Sequence, residues 1–259
     1  EGVLDGEGRI ERMYGTLQDI TERKEVERLK DAFLASVSHE LRTPLTSIRG
    51  ALGLLDHQVA GELPEQARRL VQVAHNNSER LLHLVNDLLD MERIEHGDLA
   101  FEHAPVSLDR LVDEALEAHG GYAAEHRIVL ERHDVERGLW VAGDRERLLQ
   151  VLANLLSNAT KFSHAGDRVE VGTGRDGERA VIHVTDHGAG IPDAFRARIF
   201  ERFSQADSSD ARRGGGTGLG LSISRAIVER LGGHMEFDSA PGAGTTFRVV
   251  LPRVAPPDG

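Results

Sequence analysis

The chain has 259 residues, enough for two domains that each bury an apolar core. Its formal net charge of −12 and its lack of a long basic run argue against a nucleic-acid ligand. It contains no cysteine, which excludes disulfides and cysteine-ligated zinc. No apolar run reaches the roughly 18 residues of a membrane-spanning helix, so we expect no direct membrane contact by this segment and a cytoplasmic location.

The pattern of residues 1–21 predicts a strand with turns, and this segment is too short to form a domain of its own. The run Asp19-Ile20-Thr21-Glu22-Arg23 then resembles the exit of a PAS sensor domain, which implies a sensor domain upstream. The alternative is an ordinary strand followed by a helix cap, because Asp19 and Glu22 have the spacing of a capping box.

Two long helices are predicted next. From Glu22 the chain is charged and helical, and apolar residues alternate at spacings of four and three at Leu41, Leu45, Ile48, Leu52 and Leu55. A second helix at about 64–94 has an apolar seam with the same spacing: Ala67, Leu70, Ala74, Asn77, Leu81, Leu84, Leu88 and Met91. A hairpin of two such helices cannot bury both stripes alone. We therefore predict a homodimer in which two hairpins form a four-helix bundle.

The first of these helices carries His39 on the side roughly 160° from the apolar stripe, so the imidazole is predicted to face solvent. An imidazole is nucleophilic near neutral pH, and Glu40 can hold one ring nitrogen protonated while the other attacks. Thr43, one turn later, shares the exposed face. The spacing taken alone also fits a solvated surface histidine without a chemical role.

After a connector that contains Gly97 and Pro105, the pattern changes to mixed helix and strand. Helices are predicted at 107–119, 145–162 and 218–231, and strands at 128–130, 139–141, 169–173, 180–186 and 246–251. The predicted fold class is α+β, with an antiparallel helical hairpin forming a dimeric four-helix bundle, followed by an α/β sandwich domain. The predicted segments are 1–21 (end of a PAS domain), 22–96 (signalling helix and hairpin), 97–105 (linker), 106–254 (α/β domain) and 255–259 (tail).

The helix at 145–162 carries Asn154, Asn158 and Lys161 at spacings of four and three beside its buried stripe. An amide oxygen is a hard ligand suited to Mg²⁺, and an ammonium neutralises phosphate. Lys161 is the only lysine after residue 30 in a chain with 28 arginines, which indicates a site that needs a compact cation. This helix taken alone also fits ordinary surface polar residues.

Two glycine-containing turns follow. Asp186 ends a strand whose alternation directs the carboxylate toward the core, where the exocyclic amine of adenine would be a suitable donor. Gly188 and Gly190 then allow close approach of a ligand. The glycine-rich run at 214–221 precedes an apolar helix, and free backbone N–H groups there suit a polyphosphate. Its spacing fits neither a dinucleotide fingerprint nor a P-loop, and we predict that the polar stretch 204–216 is a mobile lid.

These runs resemble the motifs of bacterial sensor histidine kinases and occur in the order found in that family. The run Ser38-His39-Glu40-Leu41-Arg42-Thr43-Pro44-Leu45 is similar to the phosphoacceptor box. The family's N box, first glycine box, F box and second glycine box resemble, in that order, residues 154–162, 186–190, 200–203 and 214–221.

The resemblance implies an ATP-dependent protein-histidine kinase that phosphorylates His39, with Glu40 as the orienting acid/base. The phosphoryl group would pass to an Asp of a response regulator receiver domain. Thr43 matches the position that orients a water for dephosphorylating the regulator, which implies phosphatase activity. The implied cofactors are ATP and Mg²⁺, with Asn158 as the metal ligand. The implied nucleotide-binding residues are Asn154, Asn158, Lys161, Asp186, Gly188, Gly190, Arg202, Gly216, Gly218, Leu219 and Gly220.

Two features leave alternatives open. Arg202 is only a candidate for phosphate contact, because Gln205 stands where many members of the family carry arginine. An ATPase of the same fold without phosphotransfer and a non-catalytic dimeric signalling scaffold are the competing functions. A stable phosphohistidine would exclude the ATPase, and ATP binding would argue against the scaffold.

Overall fold

The computed structural model describes residues 2–4, 10–13, 19, 41–55, 61, 63–96, 101–205 and 217–257. Three predicted site residues, His39, Glu40 and Gly216, lie outside the described residues, as do most of the predicted signalling helix and most of the predicted lid. Near the start of the chain, β1 (Gly2–Leu4) pairs antiparallel with β2 (Ile10–Met13), so two short strands stand where one was predicted.

The helical hairpin consists of α1, described over 41–55, and α2 (Glu65–His96). Arg42 of α1 donates to Oδ1 of Asn86 on α2 from Nη2 at 2.7 Å and from Nε at 3.2 Å. Leu45 of α1 is buried, as are Leu82 and Leu89 of α2. The predicted seam of α2 is instead largely uncovered, since Leu70, Leu81 and Leu88 are 71%, 47% and 36% exposed.

The strands of the α/β domain are β3 (Ala104–Ser107), β4 (Val129–Val135), β5 (Trp140–Gly143), β6 (Arg168–Asp176), β7 (Arg179–Asp186), β8 (His234–Ser239) and β9 (Thr245–Pro252). Five of them form one sheet with the order β4-β6-β7-β9-β8. Strands β4 and β6 are parallel, and the other neighbours in this sheet are antiparallel. A separate antiparallel pair joins β3 and β5. The helices are α3 (Leu108–Glu125), α4 (Arg145–Phe162), α5 (Asp193–Arg196) and α6 (Gly220–Arg230).

The core of this domain lies between one face of the sheet and the helices. Along β7 the core-facing residues Ala180, Ile182 and Val184 are at most 1% exposed. Helices α3, α4 and α6 contribute fully buried side chains such as Leu111, Leu155 and Ile227, which belong to the same cluster as the strand residues. Within the described ranges, no helix is both long and apolar enough to cross a membrane.

The predicted α+β class is confirmed, but three elements of this domain were missed. Strand β3 lies partly in the predicted linker, and α5 is a single turn of four residues. Strand β8 pairs only with β9 at the end of the sheet order and exposes alternate polar residues, so its sequence carries little apolar signal. Helix α3 also continues past Gly120 and Gly121 to Glu125, because Ala123 in its last turns is buried at 1% exposure.

Candidate active site

Helix α4 carries the first group of predicted site residues. Asp144 caps its start by accepting a hydrogen bond from the backbone N–H of Arg147 at 3.2 Å. Asn154, Asn158 and Lys161 are half-buried along the helix, beside a fully buried apolar stripe. The ammonium of Lys161 lies 5.0 Å from the ring centroid of Phe162. The helix therefore offers two amides and one cation at the border between core and solvent.

Asp186 ends β7 on the core-facing side and is 6% exposed. Its Oδ1 accepts a hydrogen bond from the N–H of Gly188 at 3.0 Å, and its carboxylate also accepts one from the backbone of Thr245. Burial raises the pKa of Asp186 above its ordinary value, and these two hydrogen bonds offset only part of the rise. A buried carboxylate that bears this desolvation penalty suits a ligand that donates a hydrogen bond.

The turn after β7 touches the end of α4. A Cβ on Gly188 would lie 2.1 Å from the carbonyl oxygen of Phe162, so only glycine fits this approach. The N–H of Ala189 points to the same carbonyl at 3.4 Å. Gly190 has a positive φ of 68°. The first glycine turn is thus joined to the end of α4 that bears Lys161.

The second glycine segment is described from Thr217 onward. The hydroxyl of Thr217 accepts a hydrogen bond from the N–H of Leu219 at 3.1 Å. Gly218 has a φ of 73°, and a Cβ there would lie 2.9 Å from backbone atoms of Phe203. Gly220 begins α6, and a Cβ there would lie 2.1 Å from Oδ1 of Asn154. Gly218 and Gly220 are therefore brought against the F box and the N box.

The remaining predicted site residues lie elsewhere. Thr43 is on the exposed surface of α1, and its carbonyl accepts a hydrogen bond from the Ser47 hydroxyl at 3.2 Å. Arg202 is exposed on the segment after α5. Its neighbour Phe203 is 62% exposed and has a positive φ of 56°, which is strained for a bulky residue.

Contacts between α2 and the α/β domain were missed by the sequence analysis. Oδ2 of Asp90 accepts hydrogen bonds from Gln150 at 2.7 Å and from Arg147 at 3.2 Å. Oδ2 of Asp87 accepts one from the Thr217 hydroxyl at 2.8 Å. Burial raises the pKa of Asp87, and the bond from Thr217 offsets part of the rise. The sequence offered one signal for these contacts: the carboxylates of Asp87 and Asp90 lie near the C-terminal end of a long helix, among apolar residues.

Two family models match this sequence. The model described as "Histidine kinase-, DNA gyrase B-, and HSP90-like ATPase" matches residues 143–255, which hold α4, the Asp186 turn and the second glycine segment. The model described as "His Kinase A (phospho-acceptor) domain" matches residues 29–97, which include the hairpin. The α/β domain is therefore an ATP-binding domain of this class.

Individual proteins agree with the family models. The circadian input-output histidine kinase CikA of Synechococcus elongatus is 38% identical over 262 residues, covering 93% of this chain and 35% of that protein. The crystal structure of full-length ShkA in complex with AMPPNP is 32% identical with a TM-score of 0.70, covering 87% of this chain and 46% of that one. A structure of the mycobacterial sensor histidine kinase MprB is 33% identical with a TM-score of 0.51, covering 58% of this chain and 97% of that one.

The chain belongs to the sensor histidine kinase family. As a family, histidine kinases dimerise and signal to response regulators. The chain spans about a third of the length of CikA and under half of full-length ShkA.

Proposed function

We propose that this chain is an ATP-dependent kinase that phosphorylates its own His39 and passes the phosphoryl group to an Asp of a response regulator. The observation that carries the proposal is that both glycine segments approach the N-box helix. Gly188 contacts the end of the N-box helix at Phe162, and the second glycine segment approaches the same helix at Asn154. In this proposal, the buried carboxylate of Asp186, the two α4 amides and the ammonium of Lys161 border one nucleotide site.

In this proposal, Asp186 accepts a hydrogen bond from the exocyclic amine of adenine, and Gly188 and Gly190 line the approach. Lys161 neutralises phosphate charge, and N–H groups at the start of α6, near Gly218, Leu219 and Gly220, face the phosphates. Gly216 and Arg202 are further proposed contacts. These assignments use fixed dipoles and one compact cation rather than a metal cluster, in agreement with the mainly positional catalysis of phosphoryl transfer.

The metal ligand in this proposal is Asn158, whose half-buried amide oxygen is a hard donor that fits Mg²⁺. Among the residues that the structure describes, no group of three or more His, Asp or Glu side chains could hold a metal ion. We therefore expect the nucleotide's phosphates and water to supply most of the ligands. When bound, Mg²⁺ would withdraw charge from the phosphate oxygens.

The phosphotransfer step uses the hairpin. The imidazole of His39 attacks the γ-phosphorus of ATP, the bond to the β–γ bridging oxygen breaks, and ADP leaves. Glu40 holds the other ring nitrogen and accepts the proton as the phosphohistidine becomes neutral at that nitrogen. The phosphoryl group then passes to a carboxylate oxygen of the regulator's Asp, which regenerates the free imidazole.

The domain organisation is part of the same proposal. Residues 22–96 form the signalling helix and the phosphoacceptor hairpin, 97–105 the linker and 106–254 the ATP-binding domain, with 255–259 as a tail. Residues 1–21 are the end of a PAS domain, and the whole segment is cytoplasmic. The exposed side chains of Leu70 and Leu81 support a homodimer, because a second hairpin would cover them.

Labelling with γ-labelled ATP and Mg²⁺ tests the proposal. The wild type should acquire label that is lost in acid and stable in base, while His39→Gln and Asn158→Ala should acquire none. His103→Gln, which changes an exposed histidine outside the motifs, should label like the wild type. ATP hydrolysis without protein-bound label would contradict the kinase assignment and favour an ATPase. Absence of ATP binding would favour a scaffold.

The phosphatase activity is tested separately through Thr43. We expect Thr43→Ala to label as fast as the wild type but to dephosphorylate the regulator at least about tenfold more slowly, because it lacks the hydroxyl that orients the attacking water. Equal loss of both activities would contradict this role for Thr43.

A further inference from the structure

Helix α6 buries two serines on an otherwise apolar face. Ser222 and Ser224 are 6% and 2% exposed, next to the buried side chains of Ile223 and Ile227. A buried hydroxyl is unfavourable unless it makes a hydrogen bond. Ser222 makes its bond at the start of the helix, donating to the carbonyl of Leu219, the residue before α6, at 2.8 Å. Ser224 instead makes a bond to a different helix.

The partner of Ser224 is a predicted nucleotide-binding residue. Nδ2 of Asn154 on α4 donates to the Ser224 hydroxyl oxygen at 2.9 Å. The other end of the same amide, Oδ1, lies where a Cβ on Gly220 would be only 2.1 Å away. On α6, Ser224 therefore bonds one end of the Asn154 amide, and Gly220, one turn earlier, lies close to the other end. A side chain larger than hydrogen at Gly220 would displace it.

We propose that Ser224 is a positioning residue that holds the side-chain amide of Asn154 in its nucleotide-binding orientation. This inference rests on the proposed function, since Asn154 contacts nucleotide only if the chain binds ATP. The amide is held before nucleotide arrives, so less conformational freedom is lost on binding. The bond also links the N-box helix to the helix that begins in the second glycine segment.

The first measurement is the affinity for a non-hydrolysable ATP analogue with Mg²⁺, by calorimetry. Ser224→Ala should bind about three- to tenfold more weakly, the range expected for loss of one hydrogen bond. Ser224→Cys, which keeps the size but offers a weak acceptor, should show a similar loss. Thr173→Val is the matched control, because it removes a buried hydroxyl that bonds to the carbonyl of Glu136 outside the proposed site, and it should bind like the wild type. Wild-type affinity in Ser224→Ala would overturn the proposal.

The second measurement asks whether Ser224 acts through Asn154. In an Asn154→Ala background, adding Ser224→Ala should cause no further loss of affinity. A loss of the same size in both backgrounds would mean that Ser224 acts by another route and would overturn the proposal. A general loss of folding would appear in both backgrounds, so this cycle separates positioning from structural damage.

The third measurement observes the amide directly in the nucleotide-free protein. The Asn154 side-chain NH₂ signals, assigned by their absence in Asn154→Ala, should exchange slowly with solvent in the wild type and in Thr173→Val. They should exchange faster in Ser224→Ala. Equal exchange in all three proteins would contradict the proposed bond.

A binding control separates this inference from the proposed function. Asp186→Asn should greatly weaken analogue binding, because it removes the negative charge of the proposed adenine acceptor. If the wild type itself does not bind the analogue, the proposed function fails, and this inference fails with it. If the wild type binds, Asp186→Asn does not and Ser224→Ala matches the wild type, only the positioning role is overturned.

Discussion

The helical hairpin and the α/β domain use similar apolar periodicity in different ways. On α2, Leu70 is 71% exposed although it belongs to a regular apolar seam, whereas Leu156 on α4 is fully buried. The α/β domain covers its helices with its own sheet, but the hairpin has no such sheet. The comparison shows that a regular apolar stripe does not by itself reveal which surface covers it. In the proposed homodimer, a second copy of the chain would cover the seam of α2.

The last turns of α2 belong to both regions. Met91 and Ile94 are 6% and 4% exposed and are part of the core cluster of the α/β domain. Arg230 of α6 also donates to the carbonyl of Ile94 at 3.2 Å. The same helix thus presents an uncovered seam along its length and a buried end. Changes at the seam and at the end should therefore have separate effects.

The largest expected effect is on the core of the α/β domain. Leu156→Ala should lower the free energy of unfolding by about 2–5 kcal/mol, independently of protein concentration, because it leaves a cavity in a closed core. Leu70→Ala should lower the free energy of unfolding far less in dilute protein, where the seam is uncovered. Urea unfolding followed by the fluorescence of Trp140, the chain's one tryptophan, measures both. Similar losses in the two variants would contradict the comparison.

The next effect is on assembly. Leu81→Asp should weaken dimerisation about a hundredfold or more, because it introduces a charge into the apolar seam. Affinity for an ATP analogue should stay unchanged. Gln72→Asp adds the same charge on the opposite side of α2 and should leave the dimer intact. Sedimentation at several concentrations checks this prediction, and an undiminished Leu81→Asp dimer would exclude this seam as the interface.

A smaller effect is expected where the two regions meet. Asp90→Ala removes the acceptor for Arg147 and Gln150 and should lower the free energy of unfolding by about 1–2 kcal/mol. It should also speed hydrogen exchange at the end of α2. Asp176→Ala, an exposed aspartate at the end of β6, should stay within about 0.5 kcal/mol of the wild type. No difference between the two variants would show that the Asp90 contacts add no stability.

The smallest effect is a pH dependence from Asp186. Because burial raises its pKa in the folded state, the folded protein binds this proton more tightly than the unfolded chain does. Stability should therefore fall as the pH rises from the ordinary aspartate pKa through the raised one. Asp186→Asn should remove this pH-dependent part of the free energy of unfolding. Between the two pKa values, the nucleotide-free variant should therefore gain stability relative to the wild type. Parallel stability curves for the two proteins from pH 3 to pH 8 would contradict this prediction.

The sequence was sufficient for much of the site because its signals are local. Spacing along one helix predicted the shared edge of Asn154, Asn158 and Lys161, and strand alternation predicted that Asp186 turns toward the core. The glycines in short runs indicated that a ligand can approach the backbone closely. The structure added a different reason for two of them, since Gly188 makes room for the Phe162 carbonyl and Gly220 for the Asn154 amide.

The sequence by itself determined the family, the α+β class and the order of the motifs, because each depends on residues near one another in the chain. Only the tertiary structure decided which distant residues meet. The bond between Asn154 and Ser224 joins residues 70 positions apart, and that between Asp87 and Thr217 joins residues 130 apart. Such pairs leave no periodic signal, because the packing of α6 against α4 and α2 sets their distances. Packing likewise decided that the end of α2 is buried while its seam is not.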